Sequence, residues 1–243
     1  MIPLRTSIDV HDIPGVVVAL ILTNVIVFLY LAGLPADEAA RFIRTYALTP
    51  SDYGRFVNPG AEGVAGHDFL APISNMFLHG GWLHLIANMW TLWLFGSVLE
   101  QRLGPGRFML LYFLCGLAAN ILQIVSGLSS DIPVLGASGA IAGVMGAFTL
   151  LHPKARILLL TFIWFFPITY RLSAIFYTGI WFAFQMFGGL IDLASSSQGG
   201  GIAWWAHIGG LLAGLGLIKN DGFKGKPFQG ATRFKTQLIT LSL

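Results

Sequence analysis

Charged residues interrupt this chain rarely, and the gaps between them are long. Runs free of Asp, Glu, Lys and Arg cover 13–36, 69–99, 108–130, 132–153, 157–170, 172–191 and 193–218. A helix needs about 20 apolar residues to cross the hydrocarbon core of a bilayer. Six of the runs reach that length and predict helices near 14–34, 76–99, 107–128, 134–151, 172–191 and 202–218. The remaining run, "ILLLTFIWFFPITY" at 157–170, has 14 residues and a proline, too few to span. It is expected to be re-entrant, interfacial or buried in protein, since lipid does not tolerate unpaired backbone. The pattern therefore predicts an all-α, polytopic membrane protein with six transmembrane helices. The long loop at roughly 35–75 mixes apolar stretches with Gly and Pro and is expected to be ordered against the bundle.

Composition agrees with the pattern. Of 243 residues, 55% are hydrophobic and only 10% are charged, against about 25% charged in soluble domains. Mean hydropathy is +0.73. The net charge of +3 is spread over short loops and a tail, which argues against a nucleic-acid partner. The single cysteine, Cys115, lies inside an apolar run, so neither a disulfide framework nor a CxxC metal site is expected. The N-terminus "MIPLRTSIDVHDIPG" has no signal-peptide h-region, and the first apolar segment is expected to stay as an anchor.

An even number of spans puts both termini on one side. Eleven of the 14 Lys and Arg residues then share that side, and Arg41, Arg44 and Arg55 lie on the other. Cytoplasmic loops carry the excess of positive charge. The expected setting is an integral, multi-pass protein of a bacterial inner membrane with both termini cytoplasmic. Residues 1–220 form the six-helix membrane domain and 221–243 a basic tail.

Polar residues inside the spans are few, and three of them share a depth. The second, fourth and sixth expected helices all run inward from the external face. His84 is eight residues beyond Met76, Ser138 four beyond Val134 and His207 five beyond Ile202. At about 1.5 Å per residue these side chains fall within about 6–12 Å of one face. Asn88 follows His84 by four residues and projects from the same side of its helix. Ionisable groups at such depth normally face a protein interior or a water-filled cavity.

Glycines allow the helices to meet. Gly139, Gly143 and Gly146 share one face of the fourth helix, and Gly210 and Gly214 share a face of the sixth with His207. Small residues at four-residue spacing let helix backbones pack closely in lipid. A serine beside an imidazole is the minimal device for acyl transfer. The developing oxyanion needs donors, and His84, the Asn88 amide and the Ser138 backbone N–H are the candidates. No Asp or Glu lies in the spans at this level, which points to a Ser–His dyad rather than an acidic triad. Taken singly, each feature has a plainer reading: a lone serine among glycines is helix packing, and a lone histidine is an interhelical hydrogen bond. His11, His67, His79 and His152 lie near loops or span ends and are read as structural, with His79 the one to watch. The tryptophans of the second and sixth helices are read as lipid or interface anchors.

Three segments, "LHGGWLHLIANMWTLWLFGSVLEQRLG" (78–104), "GASGAIAGVMGA" (136–147) and "AHIGGLLAGL" (206–215), together resemble the rhomboid intramembrane serine proteases. The resemblance covers roughly residues 10–220. The family's His-x-x-x-Asn falls on His84 and Asn88, its Gly-x-Ser-Gly on Gly136, Ser138 and Gly139, and its Ala-His-x-x-Gly on Ala206, His207 and Gly210. Its cytoplasmic Glu-x-Arg turn matches Glu100 and Arg102. The resemblance implies a six-helix bundle that cleaves transmembrane proteins near the external face, with Ser138 as nucleophile, His207 as base and no metal or organic cofactor. The expected partners are transmembrane protein substrates and the bilayer.

This chain departs from the family in three places, one of them the long apolar link that 157–170 makes between the fourth and fifth helices. The first external loop has no Trp-Arg pair, only "GRFVNPG" (54–60). The position four residues after the nucleophile, a Tyr stacked on the histidine in some members, is Ala142, so another group must orient His207. Two other function classes remain in view. A catalytically inactive client-binding relative would lack Ser or His, and this chain has both. A small-solute transporter would favour intramembrane carboxylates or an inverted repeat, and neither is visible. The external link 192–202, with Gly199, Gly200 and Gly201 after three serines, reads as a hinge or lid. Trp181, Phe182, Phe184 and Phe187 of the fifth helix are candidates to close a lateral gap.

Overall fold

The computed structural model of the chain describes residues 1–54, 69–194, 202–219 and 223. In chain order the elements are β1 (Ile2–Thr6), α1 (Gly15–Ala32), α2 (Ala36–Tyr46), α3 (Pro50–Gly54) and α4 (Ala71–Ser74). After a 3-10 turn at Asn75–Phe77 come α5 (Trp82–Thr91), a π-helical turn at Leu92–Gly96, α6 (Ser97–Leu103) and α7 (Pro105–Ser126). They are followed by α8 (Ser138–Leu151), β2 (Arg156–Ile163), β3 (Phe166–Ser173), α9 (Ala174–Ala194) and α10 (Trp204–Leu217).

Among the described residues, four helical stretches are long and apolar enough to cross a membrane: Gly15–Ala32, Trp82–Leu103, Pro105–Ser126 and Ala174–Ala194. The fourth and sixth expected spans are instead 14-residue helices, α8 and α10. At about 21 Å each they are shorter than the roughly 30 Å hydrocarbon core. For α8 the reason is its surroundings. Every residue from Gly139 to Thr149 is buried, so neighbouring helices rather than lipid enclose it. It packs between α10 and α7 and forms the axis of the core with Phe95, Phe108, Leu111 and Tyr112. Helix α6 stops at Gly104, whose φ of +84 reverses the chain, and Pro105 opens α7 at its first position, where a missing N–H costs nothing.

The all-α expectation needs a correction. The short run at 157–170 is a β-hairpin, and with β1 it makes a three-stranded antiparallel sheet in the order β1-β2-β3. In register, Thr6 faces Ile157 and Ile2 faces Leu160, while Ile157 faces Leu172 and Ile163 faces Phe166. The physical reason is a two-residue period. Ile157 and Leu159 are fully buried while Leu158 and Leu160 on the other face are not, and one apolar face is what a half-covered strand requires. Ladder pairing with β1 satisfies backbone that an irregular apolar segment would leave open. Trp90 of α5 donates its indole N–H to the Pro3 carbonyl at 2.6 Å, fastening the sheet to the bundle.

The long loop is ordered where it is described. Leu48 and Val134 exchange backbone hydrogen bonds of 3.0 and 2.7 Å, which ties α2 and α3 to the segment entering α8. Residues 55–60 of "GRFVNPG", positions 195–201 of the expected hinge and the tail 221–243, except Phe223, lie outside the described residues.

Glu100 performs a capping role from a distance. Helix α1 begins after Pro14, which offers no side-chain cap. The buried Glu100 carboxylate instead accepts the N–H groups of Val16 at 2.9 Å and Val17 at 2.8 Å. A carboxylate at a helix N-terminus meets both the orphan donors and the positive end of the dipole. Glu100→Ala is expected to destabilise the protein by about 1.5–3 kcal/mol, the range for hydrogen bonds to a charged group. Thermal unfolding in detergent reads this as a lowered Tm, and an unchanged Tm would contradict the capping role.

Candidate active site

Ser138 is the first residue of α8, so its backbone N–H is one of the helix's four orphan donors. The chain reaches it through Gly136, whose φ is +125. A side chain there would be strained, and its Cβ would stand 2.8 Å from His84 Nε2 and 3.6 Å from Asn88 Nδ2. Glycine at 136 thus lets the segment leading to Ser138 lie directly against the two side chains of α5. The Gly136 N–H donates to the Asn75 carbonyl at 2.8 Å. Asn75 is held in turn by reciprocal 3.0 Å amide bonds with Asn120 of α7.

His207 stands one turn into α10. Its Nε2 is 2.8 Å from Ser138 Oγ and its Nδ1 is 2.8 Å from Gln185 Oε1 on α9. The Trp181 ring, one turn earlier on α9, lies 5.6 Å from the imidazole, centroid to centroid. The start of α10 is fixed by Gln123 of α7, whose Oε1 accepts the Ala206 N–H at 3.0 Å. Among the described residues, no carboxylate is hydrogen-bonded to His207.

The glycine faces meet as backbones. A Cβ on Gly210 would overlap the Gly139 carbonyl, and one on Gly214 would overlap the Gly143 carbonyl. One on Gly143 would stand 2.8 Å from the Gly210 carbonyl, and one on Gly146 2.6 Å from that of Leu211. Backbone atoms cannot swing aside, so Gly210→Ala must push α8 and α10 apart. The expected costs are about 1–3 kcal/mol of stability and on the order of 10²-fold in turnover, the effect of an ångström's misplacement. A cleavage assay beside a Tm measurement tests this. Unchanged values of both would show that the glycine contact does not set the Ser138–His207 distance.

Asn88 is buried, and its amide nitrogen donates to His79 Nε2 at 3.0 Å. His79 is itself 4% exposed and its ring lies 5.0 Å from that of His84. One of the two Asn88 amide hydrogens is thereby occupied, and the other makes no hydrogen bond among the described residues. A cavity of about 480 Å³ is lined by Gly80, His84, Asn88, Gln123, Ser138, Asp192 and His207, with Ser130, residues 132–135, Ile202 and Ala203 completing it. Ser138, His207, His84 and Asn88 thus share one polar cavity.

The helix starts differ from those read off the sequence. α5 begins at Trp82 rather than near Met76, because Asn75–Phe77 is a separate 3-10 turn. His84 is therefore two residues into its helix, Ser138 zero and His207 three, a spread of about 5 Å. Sequence reasoning missed Gln185, His79's hold on Asn88 and Gln123. Gln185 carried a readable signal, being a lone amide in the charge-free run 172–191. Of the four proposed gate aromatics, Phe184 and Phe187 are exposed (63% and 65%), while Trp181 and Phe182 pack partly against the core.

A helical membrane bundle that gathers a serine, two histidines and an asparagine around one cavity defines a narrow class of protein. The chain belongs to the rhomboid family. The Rhomboid domain matches residues 67–219. The chain is 32% identical over 223 residues to "Rhomboid protein 1, mitochondrial" of Saccharomyces cerevisiae, covering 88% of this chain and 55% of that protein. It is 31% identical over 200 residues to "RHOMBOID-like protein 6, mitochondrial" of Arabidopsis thaliana, covering 76% of this chain and 59% of that protein. Against the human "Presenilin-associated rhomboid-like protein, mitochondrial" the identity is 30% over 169 residues, 66% of this chain and 39% of that protein. The chain spans about half the length of the curated relatives it matches. These three relatives are named as mitochondrial and lend no support to a bacterial inner membrane. What stands is an integral membrane protein.

Proposed function

We propose that the chain is an intramembrane serine endopeptidase that cleaves transmembrane proteins near the external membrane face. The observation that carries the reading is the 2.8 Å approach of His207 Nε2 to Ser138 Oγ in the lining of a polar cavity. Ser138 Oγ attacks a peptide carbonyl carbon while His207 Nε2 takes its proton. The resulting oxyanion receives the Ser138 N–H, the free Asn88 amide hydrogen and His84. The imidazolium then protonates the leaving amine as the C–N bond breaks. Water, deprotonated by His207, hydrolyses the ester, and the proton returns to Ser138 Oγ. This is general base and nucleophilic catalysis with preorganised donors.

In this reading α1, the rod Trp82–Leu103, α7, α8, α9 and α10 are the six spans of a membrane domain within residues 1–220. Both termini and the basic tail lie on the positively charged side. Substrate helices enter laterally past α9, whose buried residues form a single narrow face.

The test is incubation of purified protein in vesicles with a panel of single-span substrates, and with the same sequences lacking their spans. Cleavage near the external end of the span, dependent on the span, is the expected result. Cleavage of soluble unfolded chains at the same rate would remove the intramembrane part of the reading.

A further inference from the structure

We infer that Gln185 is the positioning residue for His207 and that, because it stands on α9, seating of α9 against α10 is what arms the dyad. The inference rests on reading Ser138 and His207 as the working pair. Gln185 is 7% exposed, and its Oε1 lies 2.8 Å from His207 Nδ1. An amide oxygen only accepts hydrogen bonds. Nδ1 therefore carries the ring hydrogen, and Nε2 presents a lone pair to the Ser138 hydroxyl 2.8 Å away. The opposite tautomer would aim an N–H at Ser138 and could not take its proton. Gln185 thus supplies the orienting acceptor that a triad draws from a carboxylate, without burying a second charge, which is costly in a low-dielectric site. It also answers which group orients His207 when Ala142 cannot.

The position of that acceptor has a consequence for the helix that bears it. The buried residues of α9 are Ala174, Tyr177, Thr178, Gln185 and Gly189. Side-chain hydrogen bonds join that face to the core at Thr178, which bonds Thr149 of α8 at 2.7 Å, and at Gln185, which bonds His207. Thr178 and Gln185 are seven residues apart and lie on the same side of the helix. At the outer end, Gly188 and Gly189 receive Trp204 and Trp205 of α10, and a Cβ at Gly188 would stand 2.7 Å from the Trp204 indole. A hydrogen bond of 2.8 Å is lost within about an ångström of separation. Any outward motion of α9 that admits a substrate helix therefore frees His207 from its acceptor, and reseating restores it. Entry and catalysis alternate, and the open enzyme is disarmed.

The experiment uses the whole protein in detergent with a short water-soluble fluorogenic peptide, which does not need lateral entry. Gln185→Leu keeps the volume and removes the acceptor. It is expected to lower kcat by about 10–100-fold, the usual effect of removing an orienting partner, with KM changed by less than about two-fold. Gln185→Glu keeps an acceptor and is expected to retain kcat above that of Gln185→Leu. A purely structural role predicts the reverse order, because a buried acid disturbs packing more than leucine does. Gly188→Leu, which wedges α9 from α10 without altering Gln185, is expected to reproduce the loss in kcat on the same soluble peptide. Wild-type kcat in Gln185→Leu, or Gln185→Glu falling below it, overturns the positioning role. Wild-type kcat in Gly188→Leu overturns the coupling to α9 seating. If instead wild-type protein and Ser138→Ala are indistinguishable, the underlying protease reading fails.

Discussion

Ser138→Ala and His207→Ala are each expected to lower the rate of cleavage by roughly 10⁴–10⁶-fold, the range seen when one member of a Ser–His machine is removed. The double variant is expected to be no slower than either single. The reason is the 2.8 Å contact between Oγ and Nε2. Without the imidazole the hydroxyl keeps its proton, and without the hydroxyl the imidazole has nothing to activate. Both variants should stay folded. α8 and α10 are held together by the Gly139–Gly210 and Gly143–Gly214 backbone contacts, which neither substitution touches. Additive losses would show two independent contributions and would sink the dyad. Unaltered turnover in Ser138→Ala would place the nucleophile elsewhere.

The second large effect belongs to Asn88 and His84, the proposed oxyanion donors. Asn88→Ala is expected to lower kcat by about 10–1000-fold without abolishing activity, since a donor of this kind supplies about 1–4 kcal/mol in the transition state. His84→Ala should act similarly. Gly136 brings the chain ahead of Ser138 within a Cβ's reach of both side chains, so in the proposed mechanism both stand where the oxyanion would form. The effect should appear in kcat rather than KM, because the interaction strengthens only as the carbonyl becomes an alkoxide. His79, which accepts from Asn88 at 3.0 Å, fixes that amide's direction. If Asn88→Ala and His84→Ala altered only KM, the two residues would be binding groups and the oxyanion would have other donors.

These four side chains could be brought together from sequence because helices have a fixed rise. Counting residues from the external end of each span put Ser138, His84 and His207 at one depth, and glycines at four-residue spacing showed which faces could touch. The expected starts of α5, α8 and α10 were all too early, by six, four and two residues, so the spread in depth stayed small. What escaped was non-local. Nothing near 157–170 announces that its ladder partner lies at residues 2–6, so a period of two in a short apolar run read only as a re-entrant, interfacial or buried segment. The Gln185–His207 bond joins positions 22 apart across a segment with no motif. The shortness of α8 and α10 follows from enclosure by neighbours, which hydropathy cannot see.

Covalent labelling reads directly whether His207 makes Ser138 nucleophilic. A fluorophosphonate or isocoumarin probe is to be incubated with wild-type protein and with His207→Ala, and the adduct mapped by mass spectrometry. One adduct is expected, on Ser138, formed in wild-type protein and lost in His207→Ala. An adduct on any other residue, or labelling of Ser138 at an unchanged rate without His207, would contradict the dyad.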